Sequence, residues 1–242
     1  MQIVNGLQTS YSIFNSHKGD SSDERSVLVK VIINNNKEAI DSIIASTNSQ
    51  NPVSATLLRA TELTQRNLEI FFYDKGYFYD GRKNYYKNLG KPVTKIFGIQ
   101  YTAQAIRSIV FDDPHTARAR PTSLLKDDKM YKQIFDQKEN YNGYLICCLI
   151  NKNSKNKTSN FKLHLAWLVP KMILKKDKVM FSELANFDIS LFDQSVYDDC
   201  LKFLLDAIDD YQESKMDANL INMAKSKDFT TYVLEKLSTS FV

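Results

Sequence analysis

The chain has 242 residues, 43% hydrophobic and 25% charged, a balance that supplies a packed core and excludes wholesale disorder. No apolar run approaches the length needed to span a bilayer and the opening Met-Gln-Ile-Val-Asn-Gly is no secretory leader, so a cytoplasmic protein without a membrane partner is expected. The net charge of +4 is too small to announce a nucleic-acid binder by its size.

Its distribution says more. Residues 1–120 carry 15 basic and 11 acidic side chains, whereas residues 121–242 carry 17 of each. All seven arginines fall in the first half, the last being Arg120. The planar guanidinium suits phosphate and carboxylate better than the point charge of lysine, so an anionic ligand is expected to meet this half. Compositional drift in a lysine-rich chain is the plain alternative. Cys147 and Cys148 are adjacent and Cys200 is distant, which matches neither metal-ligand spacing nor a disulfide framework.

In chain order, Ile3-Val4 reads as the stub of a strand, Asn5-Gly6 as a turn, and Thr9 to about Ser16 as a helix. Ser26–Ile33 is rich in β-branched residues and predicts a buried strand. Helical spacing follows over Lys37–Ser46, then a polar stretch to Val53, then a helix capped by Ser54 and reaching about Asp74. Tyr77–Tyr86 places aromatic runs on either side of Asp80-Gly81, a hairpin signal, because a type I′ turn needs positive φ at its centre. Beyond Pro92 the periodicity predicts helices at about Val93–Phe111, Lys126–Asp136, Tyr141–Ile150, Ser159–Leu174, Ile189–Tyr211 and Lys227–Ser238. Residues 188–217 hold nine acidic and two basic side chains, read first as a solvated helix face and second as a docking surface.

Three stretches carry chemistry. Val4 to Ser10 runs strand, glycine turn, helix start; such a helix N-terminus presents free N–H groups to an anion, and Thr9 and Ser10 add hydroxyls. An ordinary turn with a helix cap explains the same residues. Ala45–Ser54 clusters amides and hydroxyls, among them Asn48 and Gln50, able to read a base edge or to hold two loops in register. Arg82 and Lys83 lie among aromatics, and from Lys75 to Arg107 there are seven basic residues and one acidic. Such interleaving binds phosphates and stacks bases, though strand aromatics also simply pack. Asp112-Asp113-Pro114-His115 reads as turn chemistry rather than metal ligands, and Trp167 as a core or interface aromatic.

The order Asn5-Gly6-x-Gln8-Thr9, a β-branched strand, Asn48-x-Gln50-Asn51-Pro52 opening a helix, then aromatics with Arg82-Lys83, resembles the abortive-infection phage-resistance family. Ala117-Arg118-Ala119-Arg120-Pro121 and Tyr131-Lys132-Gln133-Ile134-Phe135 resemble its continuation. More remotely, Asn5–Thr9 is similar to the Asp-Gly-Gln-His/Gln-Arg motif of DNA-modification and restriction proteins, and through them to the ParB/sulfiredoxin fold. That similarity implies a phosphate site lined by Asn5, Gly6, Gln8 and Thr9, approached by Asn48 and Gln50. Asn5 stands where the remote relatives have Asp and Thr9 where they have Arg, which favours binding over hydrolysis. The motif begins four residues after Met1, where relatives carry a longer lead; either a truncated chain or a strand lent by another chain is expected.

The expected fold is therefore α+β: a small ParB/sulfiredoxin-like α/β part over residues 1–92, supplying essentially all the strands, and a helical part over 93–242, the two sharing one core or not. The expected function is phage defence through a nucleotide- or nucleic-acid-binding module, with hydrolysis left open. The alternative is a sensor or scaffold that recruits a partner effector or a second copy. The candidate site comprises Asn5, Gly6, Gln8, Thr9, Ser10, Asn48, Gln50, Arg82 and Lys83, with no catalytic residue or protein-bound metal assigned. The cofactor is left open, a divalent ion carried by the nucleotide being one option.

Overall fold

The computed structural model describes residues 7–16, 26–33, 36, 39, 56, 59–60, 62–82, 84–136, 140–154, 159–215 and 219–241. By its contacts the chain divides into two compact units, residues 1–54 and 55–242.

In the first unit, helix α1 spans Leu7–Ser16, in agreement with the sequence. Ser26–Ile33 is not the buried strand that its composition predicts. It has no regular structure, and Leu28 and Ile33 are 100% and 91% exposed. β-Branched side chains favour a pleated, half-buried surface but cannot supply the partner strand that creates one. The helix expected over Lys37–Ser46 falls almost wholly outside the described residues, as do the Ile3-Val4 strand and Ser54.

The second unit opens with α2 (Leu63–Asp74), β1 (Phe78–Asp80), α3 (Tyr85–Asn88), β2 (Ile96–Gly98) and α4 (Ile99–Ile109). It continues with α5 (Pro114–Ala119), α6 (Ser123–Lys126), α7 (Asp128–Phe135), α8 (Tyr141–Asn153) and α9 (Lys162–Leu174). The last described elements are α10 (Phe181–Ala185), α11 (Gln194–Ser214), α12 (Leu220–Met223) and α13 (Lys227–Ser240). The fold is α+β, strongly weighted to helix.

The hairpin is a second correction. β1 pairs in parallel with β2, in the register Phe78↔Ile96, Tyr79↔Phe97 and Asp80↔Gly98, so the chain crosses over instead of turning back. After β1 the left-handed residue is Asn84 (φ +66°), not Gly81, and Tyr85 N–H donates to the Arg82 carbonyl at 2.9 Å. The chain thus enters α3 through a left-handed residue, where a type I′ turn would have reversed the strand. Tyr85 and Tyr86 accordingly stand on a helix rather than a returning strand. Because β2 follows Pro92, residues 1–92 do not supply all the strands. The single helix expected over Val93–Phe111 is instead a 3-10 turn (Val93–Lys95), then β2, then α4. The helix ending at Asp74 likewise starts afresh at Leu63, after a turn at Ala60 and a bend at Glu62.

Helix α4 is the hub. It packs against β2, α5, α6, α7, α8 and α9, and small side chains at Ala103, Ala105 and Ser108, all fully buried, let these helices approach closely. Helix α9 is buried all round, as a central helix should be, Leu163–Lys171 throughout and with His164 and Lys171 among them. One core cluster runs from Leu68 and Phe72 through Phe97 and Ile106 to Trp167 and Leu237, on both sides of Pro92. The family-like residue Tyr131 belongs to this framework: Gln65 Nε2 donates to its hydroxyl at 2.8 Å, Tyr79 Oη donates to Gln65 at 2.6 Å, and the Arg59 guanidinium lies 4.1 Å above its ring.

Gly143 shows how tightly α8 meets α10. A Cβ there would stand 2.6 Å from Cζ of the buried Phe181, whose ring also packs edge-on to Tyr144 at 5.1 Å. Gly143→Ala is expected to destabilise by about 1–3 kcal/mol, because overpacking outweighs the helix propensity gained, about 1 kcal/mol. Urea unfolding that finds the variant equal to or more stable than wild type refutes this.

Candidate functional site

Of the nine candidate residues, Asn5, Gly6, Asn48, Gln50 and Lys83 lie outside the described residues. Gln8, Thr9 and Ser10 share α1, which begins directly after Gly6, and Thr9 and Ser10 are exposed. Arg82 belongs to the second unit, in the exposed bend after β1.

Around Arg82 the second unit forms a basic and aromatic face. Rings follow one another from Tyr73 to Phe78 (6.3 Å between centroids), Phe78 to Tyr86 (5.1 Å) and Tyr86 to Tyr85 (5.0 Å). The Arg82 guanidinium lies 5.8 Å from the Tyr85 ring and Lys91 Nζ 5.2 Å from that of Phe78. Lys75, Lys87, Lys91 and Lys95 are exposed beside them. Of two nearby carboxylates, Glu69 accepts from Tyr86 Oη at 2.6 Å, and Asp80 is buried, its Oδ1 without a hydrogen-bond partner among the described residues. Burial raises the pKa of Asp80, opposed by the nearby backbone N–H groups of Asn84, Tyr85 and Arg82. Among the described residues, no carboxylate pairs with Lys75, Arg82, Lys87, Lys91 or Lys95. This face can therefore offer flat rings and uncommitted cations to an anionic, aromatic ligand.

A second polar cluster is internal and was not legible in the sequence. Asp113 caps α5 by accepting Thr116 N–H at 3.0 Å, with Pro114 in the first turn, as Asp-Pro chemistry leads one to expect. The same carboxylate holds Arg107 (2.5 and 2.7 Å) and His115 Nε2 (3.1 Å). His115 Nδ1 lies 3.1 Å from Thr230 Oγ1, and His164 Nε2 reaches that oxygen from the other side at 3.3 Å. Thr230 Oγ1 also lies 3.2 Å from the Ser226 carbonyl, so its single proton serves either that oxygen or a neutral His115 Nδ1, while His164 Nε2–H can donate to the hydroxyl oxygen. His164 is fully buried, its Nδ1 has no hydrogen-bond partner among the described residues, and burial pulls its pKa from 6.5 down to about 3. Beside it, the fully buried Lys171 pairs with Asp112, whose Oδ1 also accepts Trp167 Nε1–H at 2.7 Å. These groups tie α4, α5, α9 and α13 together.

The cysteines are inert thiols: all three are buried, and desolvation raises their pKa, that of Cys148 and of Cys200 to about 12. Among the described residues, no group of three or more His, Cys, Asp and Glu could hold a metal ion, and no helix is long and apolar enough to cross a membrane.

An α+β chain dominated by helices, with a basic and aromatic face and no described metal cluster, is a class that many families share. One family model, described as AIPR protein, matches residues 1–240, and the chain belongs to this family, the abortive-infection phage-resistance family that its motifs resemble. No curated protein and no solved structure matches the chain.

Proposed function

We propose that the chain is a phage-defence module that binds a nucleotide or nucleic acid, with any divalent ion arriving on the nucleotide. The single observation that carries the binding half of this reading is the exposed face on which Arg82 and Lys91 lie against aromatic rings while, among the described residues, no carboxylate pairs with them. Family membership supports the defence role. The resemblance of Asn5–Thr9 to a ParB/sulfiredoxin-like phosphate loop supports a phosphate-holding role for Asn5, Gly6, Gln8 and Thr9, helped by Ser10, Asn48 and Gln50. Asn5 in place of Asp deprives that loop of a general base, so binding is favoured over hydrolysis.

Equilibrium titration of the full chain with each NTP, RNA and DNA, with and without Mg²⁺, tests the reading. Saturable binding is expected for at least one of these. Arg82→Ala with Lys83→Ala is expected to weaken nucleic-acid binding and flatten its salt dependence, because fewer counterions are released. Gly6→Val is expected to abolish mononucleotide binding by steric exclusion. If wild type binds none of these ligands at high micromolar concentration, the reading is wrong.

A second reading, a scaffold that recruits an effector protein or another copy, is favoured by a different observation. In the first unit Tyr11 and Phe14 of α1 are 68% and 79% exposed, and so, separately in the chain, are the apolar side chains of Val27–Ile33 on either side of Lys30. Patches of this kind are common at protein interfaces.

A further inference from the structure

We propose that the face formed by the last turn of α2, β1 and α3 binds a single-stranded nucleic acid, with bases stacking on Tyr73 and Tyr85 and phosphates held by Arg82 and Lys91. The proposal rests on the binding reading above and names its ligand class and contact surface.

Three observations converge on it. Tyr73 and Tyr85 end a continuous series of ring contacts, and both are open to solvent, at 62% and 44%. The rings between them, Phe78 and Tyr86, are half-buried, and the Tyr86 hydroxyl is tied to Glu69 across to α2. The platform is thus built before any ligand arrives, which lowers the ordering cost of binding. Finally, a cation lies against a ring at two points of the series, Arg82 at Tyr85 and Lys91 at Phe78. A phosphodiester chain presents that same alternation of flat base and anionic link.

Strandedness follows from access. In a duplex each base is already stacked on its neighbours and shows only an edge to the groove, so exposed tyrosines gain nothing from it. A single strand can turn its base faces outward onto rings. A mononucleotide has one base and cannot occupy two separate exposed tyrosines.

The test is a set of equilibrium titrations on the full chain, using single-stranded RNA and DNA of about 12 nucleotides, the matching duplexes, and each mononucleotide. The single strand is expected to bind at least about tenfold more tightly than its duplex. Tyr73→Ala and Tyr85→Ala are each expected to weaken single-strand binding by roughly tenfold without changing its salt slope, while Tyr85→Phe restores it. Arg82→Ala with Lys91→Ala is expected to flatten the salt slope by about two contacts' worth. Thermal melts confirm that these exposed substitutions leave the fold intact. Duplex binding as tight as single-strand binding overturns the proposal, and so do tyrosine variants that bind normally. Mononucleotide binding without oligonucleotide binding sinks it while leaving the proposed function standing; no binding of any kind sinks both.

Discussion

Asp112→Ala is expected to cost about 3–5 kcal/mol, the largest loss for any single substitution considered for this protein. Lys171 is fully buried on α9, and its ammonium is matched by the Asp112 carboxylate and the Asp177 carbonyl. Removing the carboxylate strands a charge in the core and orphans the Trp167 N–H, which donates to the same oxygen. Asp112 also sits at φ +53°, a left-handed conformation that Asp tolerates and Ala resists. Lys171→Met keeps the stem's volume and removes the need for a counter-charge, so it is expected to cost clearly less than Asp112→Ala. Guanidinium unfolding of both variants decides the point: an Asp112→Ala loss below that of Lys171→Met would show that the pair does not govern stability here.

Acid should unfold the protein in a pH range set by His164. Its folded pKa, about 3, lies below the ordinary 6.5, so the unfolded chain takes up the proton more readily than the folded one. The stability gained by keeping the ring neutral is full above about pH 6.5 and is lost as pH falls from there towards 3. The total is on the order of 4–5 kcal/mol, most of it lost by pH 4. His115, whose pKa burial also lowers despite the opposing Asp113 carboxylate, adds to the loss in the same direction. His164→Leu removes the buried titrating group while Thr230 keeps His115 and the Ser226 carbonyl as partners. That variant is expected to show a flatter stability curve between pH 6.5 and 4. An unchanged slope would mean that other groups dominate acid unfolding.

How legible the molecule is in its sequence depends on the range of the interaction. Family membership was readable because it resides in short motifs in a fixed order, from Asn5-Gly6-x-Gln8-Thr9 to Tyr131–Phe135. The helices Asp128–Phe135, Gln194–Ser214 and Lys227–Ser240 were readable within a few residues at their ends, since three- and four-residue spacing is local and buries one face. The gathering of cations and aromatics near Arg82 was equally plain, being a property of consecutive residues.

Only the tertiary structure decided what required a distant partner. Asp80-Gly81 has the composition of a hairpin turn, yet the strand that β1 found is Ile96–Gly98, in parallel, and the chain after Asp80 enters a helix. Ser26–Ile33 has the composition of a strand, but a ladder needs a second edge, and none is paired with it among the described residues. The bond between Trp167 and Asp112 spans 55 positions and the one between His115 and Thr230 spans 115, so no periodicity or spacing rule could announce them. A short motif records what neighbouring residues do together. Buried charges and strand partners are fixed by which surfaces the whole chain brings into contact, and that depends on packing free energy summed over the core.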